Sequence, residues 1–185
     1  MLLVLTKENS LFVVFALVVL MIANHWLKFG SVTRELLTAT VLGPLLGIAC
    51  LVLLAGGIDT LIATYKLSVA KNYTLTFAIL TGDGPWYRYL VDLLLVSPVI
   101  LILAISALFR LNRTMKAELF MSIFIAASYL VMCNIKYGMN LRYANMWDMP
   151  LRFLAFISLV VLVTPLRRYR NIVLGIGVAL ICAIE

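Results

Sequence analysis

Three arginines, Arg88, Arg142 and Arg152, and three aspartates, Asp83, Asp92 and Asp148, are the residues of this sequence best equipped for chemistry. Each stands near the end of an apolar stretch. A guanidinium presents a planar fork of donors that fits a phosphate or a carboxylate in two-point contact. Arg142, with Tyr143 beside it, lies just before an apolar run, and Arg88 and Arg152 hold comparable positions. The chemistry this suggests is phosphate binding at the depth of a lipid carrier's headgroup. Each residue also has a plainer role. Arg88 precedes Asp92 by four positions and Arg152 follows Asp148 by four. Such pairs meet on one helix face and contribute about 0.2–0.5 kcal/mol when exposed. Arg142, six residues before Asp148, can also brace that carboxylate. Asp92 falls one turn inside an apolar span, where an ionised carboxylate faces protein or a wet cavity. Asp83, between Gly82 and Gly84, has the local sequence of a turn. A metal or general-base role for it needs a second carboxylate nearby, and none is placed there. No metal centre is expected. His25 is the only histidine, and Cys50, Cys133 and Cys182 each sit in an apolar run with no ligand spacing between them. They read as small apolar residues rather than as a disulfide framework.

The elements that must position these groups follow from composition. Hydrophobic residues make up 64% of the 185 positions and charged residues 12%, with a mean hydropathy of +1.10. That leaves too little polar surface for a water-soluble domain of ordinary composition. Five apolar stretches, Leu11–Leu27, Leu37–Gly57, Leu90–Phe109, Leu119–Ile135 and Leu151–Leu166, each run to roughly the 17–21 residues that cross about 30 Å of hydrocarbon as a helix. A sixth, Ile172–Ile184, is shorter and still apolar where it meets Glu185. Met1–Leu5 is apolar too and reads as the last turn of a helix begun upstream. The expected architecture is all-α: one polytopic membrane domain over residues 1–185, about six transmembrane helices plus one interfacial helix, and a portion of a longer protein.

Basic residues orient the spans. Lys28–Glu35, Arg110–Ala117 and Arg167–Arg170 alternate onto one side and hold eight of the fifteen Lys and Arg residues. The opposite side carries six of the eight carboxylates. Cytoplasmic loops are the richer in Lys and Arg, so the first side is read as cytoplasmic. The formal charge of +7 is thus explained by topology; no basic face for nucleic acid forms. Two longer segments then fall outside. In the first, 58–89, Leu61, Ile62, Tyr65, Val69 and Tyr73 recur at helical spacing, the pattern of a helix lying in the interface. It turns at 82–85 and returns through Trp86, Tyr87, Arg88 and Tyr89. The second is 136–150.

Trp86, Tyr87, Tyr89, Tyr143 and Trp147 stand where aromatic side chains favour the headgroup level, and a structural belt explains each one. Lys7 and Glu8 read as interfacial anchors at the same side. Gly43 and Gly47 have the spacing that permits close approach of membrane helices. Pro44 and Pro98 are expected to kink their spans.

Three stretches together resemble the polytopic glycosyltransferases of the GT-C superfamily, in particular the bacterial members related to protein O-mannosyltransferases. They are Leu5-Thr6-Lys7-Glu8-Asn9 at a helix end, Gly82-Asp83-Gly84-Pro85-Trp86-Tyr87-Arg88-Tyr89, and Asn140-Leu141-Arg142-Tyr143 running to Pro150. The resemblance covers the middle and late helices of such an enzyme. It implies transfer of a sugar from a polyprenyl-phosphate carrier to an acceptor outside the cytoplasm, with membrane lipid and the carrier as partners and the bacterial inner membrane as the location. It implies no cofactor beyond the lipid-linked donor. Arg142 and Tyr143 would line the cavity for the carrier's phosphate, with Arg88 and Arg152 beside it and Asp83, Asp92 and Asp148 in support. The family's catalytic carboxylate lies in an N-terminal loop with no counterpart here, so no catalytic residue is assigned. Two other classes fit the same features: a non-catalytic subunit packing in a larger membrane complex, and a transporter fragment in which Asp92 is the intramembrane charge.

Overall fold

The computed structural model describes residues 10–82, 84–135, 139 and 141–184, and every regular element among them is helical. Helix α1 (Ser10–Leu27) contains no carboxylate or ammonium group. It stops at Lys28, whose φ of 51° turns the chain. The Asn24 side chain closes that turn, donating to the Gly30 carbonyl at 2.9 Å and accepting from its N–H at 3.0 Å. Helix α2 (Arg34–Leu54) starts from Thr33, whose hydroxyl accepts the Leu36 N–H at 3.2 Å. Glu35 in the first turn complements the positive end of the helix. Pro44 lies inside α2, which continues through it. Gly56 (φ 79°) and Gly57 (φ 134°) end this helix in conformations that a side chain resists. Helix α3 (Ile58–Thr74) and a short α4 (Thr76–Thr81) follow.

The third apolar stretch is two helices rather than one span: α5 (Arg88–Val96) and α6 (Pro98–Leu108). The break has a local cause. Proline lacks an N–H and disfavours a helical backbone in the residue before it, and Ser97 sits at φ −139°, ψ 64°. The kink expected at Pro98 is therefore a full interruption. Helix α7 (Lys116–Met132) is followed by a 3-10 helix (Leu141–Trp147) and α8 (Asp148–Val163). A second 3-10 stretch (Thr164–Tyr169), bent at Arg167, leads into α9 (Arg170–Ile184). All six expected apolar stretches are helical. Among the described residues three runs are long and apolar enough to cross a membrane: Ser10–Leu27, Arg34–Leu54 and the combined Leu141–Ile184. Pro98–Leu108 is apolar but shorter.

Two helix pairs build the core. Helices α6 and α8 pack extensively and run parallel, with the Ser106 hydroxyl donating to Ser158 Oγ at 3.0 Å. Helices α1 and α7 run antiparallel. The Lys116 ammonium at the start of α7 donates to the carbonyl of Leu27 at the end of α1, and Phe29 meets Phe120 edge-on at 6.0 Å. This brings the segments after α1 and before α7 to one end of the molecule. The remainder is open. Helix α9 buries no residue and α2 only Gly47. The chain exposes 12202 Å², whereas a compact soluble protein of 20.6 kDa exposes roughly 8,900 Å². Leu11, Phe15, Val18 and Ile22 form one of several apolar stripes on the outside, the surface a helix offers to hydrocarbon.

Candidate functional site

The two long segments that the charge pattern assigns to one side meet in the fold. The Tyr129 hydroxyl, near the end of α7, donates to the Trp86 carbonyl at 2.6 Å. The Met139 N–H donates to the Gly82 carbonyl at 2.9 Å. Between these ties Tyr89, Tyr129 and Trp147 pack ring against ring: Tyr89 meets Trp147 edge-on at 5.4 Å between ring centres, and Tyr129 lies tilted against Trp147 at 5.6 Å. Trp147 is 0% exposed and Tyr89 1%. A buried indole N–H needs a partner, and it donates to the Ser128 hydroxyl at 2.7 Å. Ser128 in turn donates to the Phe124 carbonyl within α7. Tyr89 and Trp147 are thus not belt residues. Burial against each other, with that serine taking the polar edge, makes them the knot that joins α5, α7 and the 3-10 helix. Trp86 and Tyr87 remain exposed, as belt residues would be.

Beside this knot a groove of ≈430 Å³ opens between the α5–α6 break and the start of α8. Its walls are apolar, from Leu93, Val96, Ile100, Leu141, Ala144 and Leu151. Ser97, Asn145 and Asp148 supply the polar atoms. Ser97 reaches the wall because the helix is interrupted there. Leu141, Ala144, Asn145, Asp148 and Leu151 share a face because the 3-10 helix runs directly into α8. Ser97 and Asn145 were missed in the sequence. Applying helical spacing across 141–151, in place of reading that stretch as a loop, marks this face at once.

Two of the three expected arginines stand in ion pairs within their own helices. Arg88 Nε lies 3.6 Å from Asp92, and Arg152 Nε lies 2.9 Å from Asp148, both within one helix at i, i+4. The plainer reading of these four residues holds. Asp148 therefore reaches the groove with its charge already held by Arg152. Arg142 is exposed on the 3-10 helix, next in the chain to the lining residue Leu141, while Tyr143 is half-buried and packs on the core. Asp83, Lys7 and Glu8 lie outside the described residues. Among the described residues no three His, Cys, Asp or Glu side chains converge as a metal site.

Compared with known proteins, the chain matches no family model, no curated protein and no solved structure.

Proposed function

We propose that this chain is a multi-pass protein of the bacterial inner membrane that holds the phosphate end of a polyprenyl-phosphate carrier outside the cytoplasm. It does so as part of a glycosyltransferase that draws its sugar from that carrier. In this reading the six spans are α1, α2, the broken α5–α6, α7, α8 and α9, and α3 lies along the interface. The observation that carries the proposal is the apolar groove opening near the aromatic knot, with the exposed Arg142 next in the chain to its lining residue Leu141. A prenyl tail needs an apolar channel at membrane depth, and a departing phosphate needs a cationic donor where the channel meets water. Arg110, Arg113, Arg167, Arg168 and Arg170 cluster in the links at the far ends of α6 and α8, which supports placing the groove's end outside. Asp92 and Asp148 are engaged in ion pairs, so neither is assigned the role of general base.

The test is binding of a fluorescent polyprenyl phosphate to the chain in nanodiscs, against the same polyprenol without phosphate. Preference for the phosphate form, lost in Arg142→Ala and partly kept in Arg142→Lys, is the expected result, since lysine keeps the charge but not the fork. In the complete enzyme, Arg142→Ala is expected to lower transfer by about 10²–10³-fold, the effect of losing one charge-stabilising donor. Equal binding of phosphate and alcohol overturns the proposal. The specific observation favouring the non-catalytic subunit is the almost complete exposure of α2 and α9, which leaves two apolar helices to pack on a partner. That reading gains if carrier binding fails while a larger complex co-purifies.

A further inference from the structure

A second groove lies at the opposite end of the molecule, where α1 turns toward α2. It holds ≈320 Å³. Leu17, Leu20 and Met21 of α1 form one wall, Leu36 and Thr40 of α2 the other, and Phe29 and Phe120 close it where their rings meet edge-on. The one side-chain amide on the lining, that of Asn24, gives one N–H and its oxygen to Gly30. The Thr40 hydroxyl donates back to the Leu36 carbonyl at 2.8 Å. Beyond these groups and the exposed Ser31 hydroxyl the lining offers its occupant alkyl and phenyl surface, and both walls are helices long and apolar enough to cross a membrane. Basic residues flank the lining segment 29–32 in the chain. Lys28 follows α1 directly and Arg34 opens α2, both exposed. The Lys116 ammonium is fixed on the Leu27 carbonyl next to Lys28. The linking segments at this end, 28–35 and 110–118, carry Lys28, Arg34, Arg110, Arg113 and Lys116 against only Glu35 and Glu118.

We propose that this groove seats one acyl chain of an anionic phospholipid, with the lipid phosphate held at its mouth by Lys28 and Arg34. The alkyl lining selects a hydrocarbon chain over a polar segment. The cationic mouth selects an anionic headgroup over a zwitterionic one. The site differs from the carrier groove in residues, in end of the molecule and in ligand, and it stands whether or not the carrier is bound.

Native mass spectrometry of the chain released from mixed micelles of phosphatidylglycerol and phosphatidylcholine reads the occupancy directly. One phosphatidylglycerol retained in preference to phosphatidylcholine is expected. Lys28→Gln and Arg34→Gln should each weaken that preference by about 5-fold, the effect of one cation near an anionic surface. The paired control Lys66→Gln/Lys71→Gln, on α3 and away from the groove, should leave it unchanged. Thr40→Trp fills the groove and should eject the lipid whatever its headgroup; Val32→Trp, on the exposed link at the groove's rim, does the same if the first variant fails to fold. Equal retention of the two lipids overturns the proposal, as does an equal loss in the α3 control, which would mean unspecific surface charge. Dimerisation that Thr40→Trp or Val32→Trp abolishes overturns it too, because the occupant would then be a second copy of the chain.

Discussion

The junction of Trp147 with Ser128 offers the sharpest test of how the groove beside the aromatic knot is held. Ser128→Ala removes a hydroxyl that accepts from the indole at 2.7 Å and donates to Phe124 at 2.7 Å. Trp147 is 0% exposed, so its N–H is left buried without this partner. An orphaned buried donor costs about 1–3 kcal/mol. Trp147→Phe behaves differently, because Ser128 keeps its bond to Phe124 while the ring still packs on Tyr89 and Tyr129. Its cost should fall below that of Trp147→Ala, which loses the ring contacts and opens a cavity worth about 3–5 kcal/mol. The two milder changes should not add. In membrane proteins hydrogen bonds between helices couple by about 0.6 kcal/mol on average and at most about 1.7, and this bond, short and fully buried, belongs at the upper end. The assay is reversible unfolding by SDS titration in mixed micelles. It is followed by far-ultraviolet circular dichroism, since fluorescence would change with the tryptophan itself. Additive costs for Ser128→Ala and Trp147→Phe, with no coupling, would refute the assignment of this bond as the tie between α7 and the 3-10 helix.

Other consequences are simpler to check. Cysteines placed at Arg113 and Arg168 should stay protected from an impermeant maleimide added outside cells, while one at Asn145 should react; the reverse pattern overturns the orientation. Arg152→Gln should change stability by no more than about 0.5 kcal/mol, because its pair with Asp148 is exposed and local; a larger loss in the same SDS titration would mean that Arg152 braces more than its own helix. Gly57→Ala should cost about 1–3 kcal/mol through backbone conformation alone, since φ is 134° and a methyl group there meets nothing within 4 Å. The matching change at Gly30, where nothing lies within 4 Å and φ is not positive, should be nearly neutral by the same measurement.

Why some of this was legible in the sequence and some was not has a physical basis. Runs of apolar residues mark helices because, out of water, the backbone must satisfy itself, and each expected stretch is helical. Pairing at i, i+4 was legible for the same local reason: Arg88 with Asp92 and Arg152 with Asp148 need only the helix they share. Pro98 announced a disturbance, but whether a proline bends a helix or splits it depends on what packs alongside, and Pro44 is carried within α2 without a break. The aromatic residues show the limit most clearly. Trp86 and Trp147 look alike in sequence, each flanked by polar residues near a span. Only the meeting of α5, α7 and the 3-10 helix, distant in the chain, buries one and leaves the other out. The partner that makes burial tolerable, Ser128, lies in the middle of an apolar run, where a serine has no local signature.

The arginines bear on the proposed function through the same local pairing. Had Arg88, Arg142 and Arg152 converged without carboxylates, their mutual repulsion would itself have called for an anion. Two of them are instead neutralised at home, each by an aspartate one turn away. In the proposed reading the phosphate contact falls to Arg142, carried by a 3-10 helix that the Trp147–Ser128 bond holds against α7. A guanidinium next in the chain to the lining of an apolar groove suits a ligand that is mostly hydrocarbon with one phosphate, where the tail supplies affinity and the charge supplies position. It suits a soluble polyphosphate poorly, since that would need several donors and no tail. The Trp147→Phe/Ser128→Ala variant therefore makes a functional prediction as well. With the groove walls intact but the 3-10 helix loosened, binding of a polyprenol should persist while the preference for its phosphate shrinks. If both fall together, the knot supports the groove as a whole and Arg142 is not separately positioned by it.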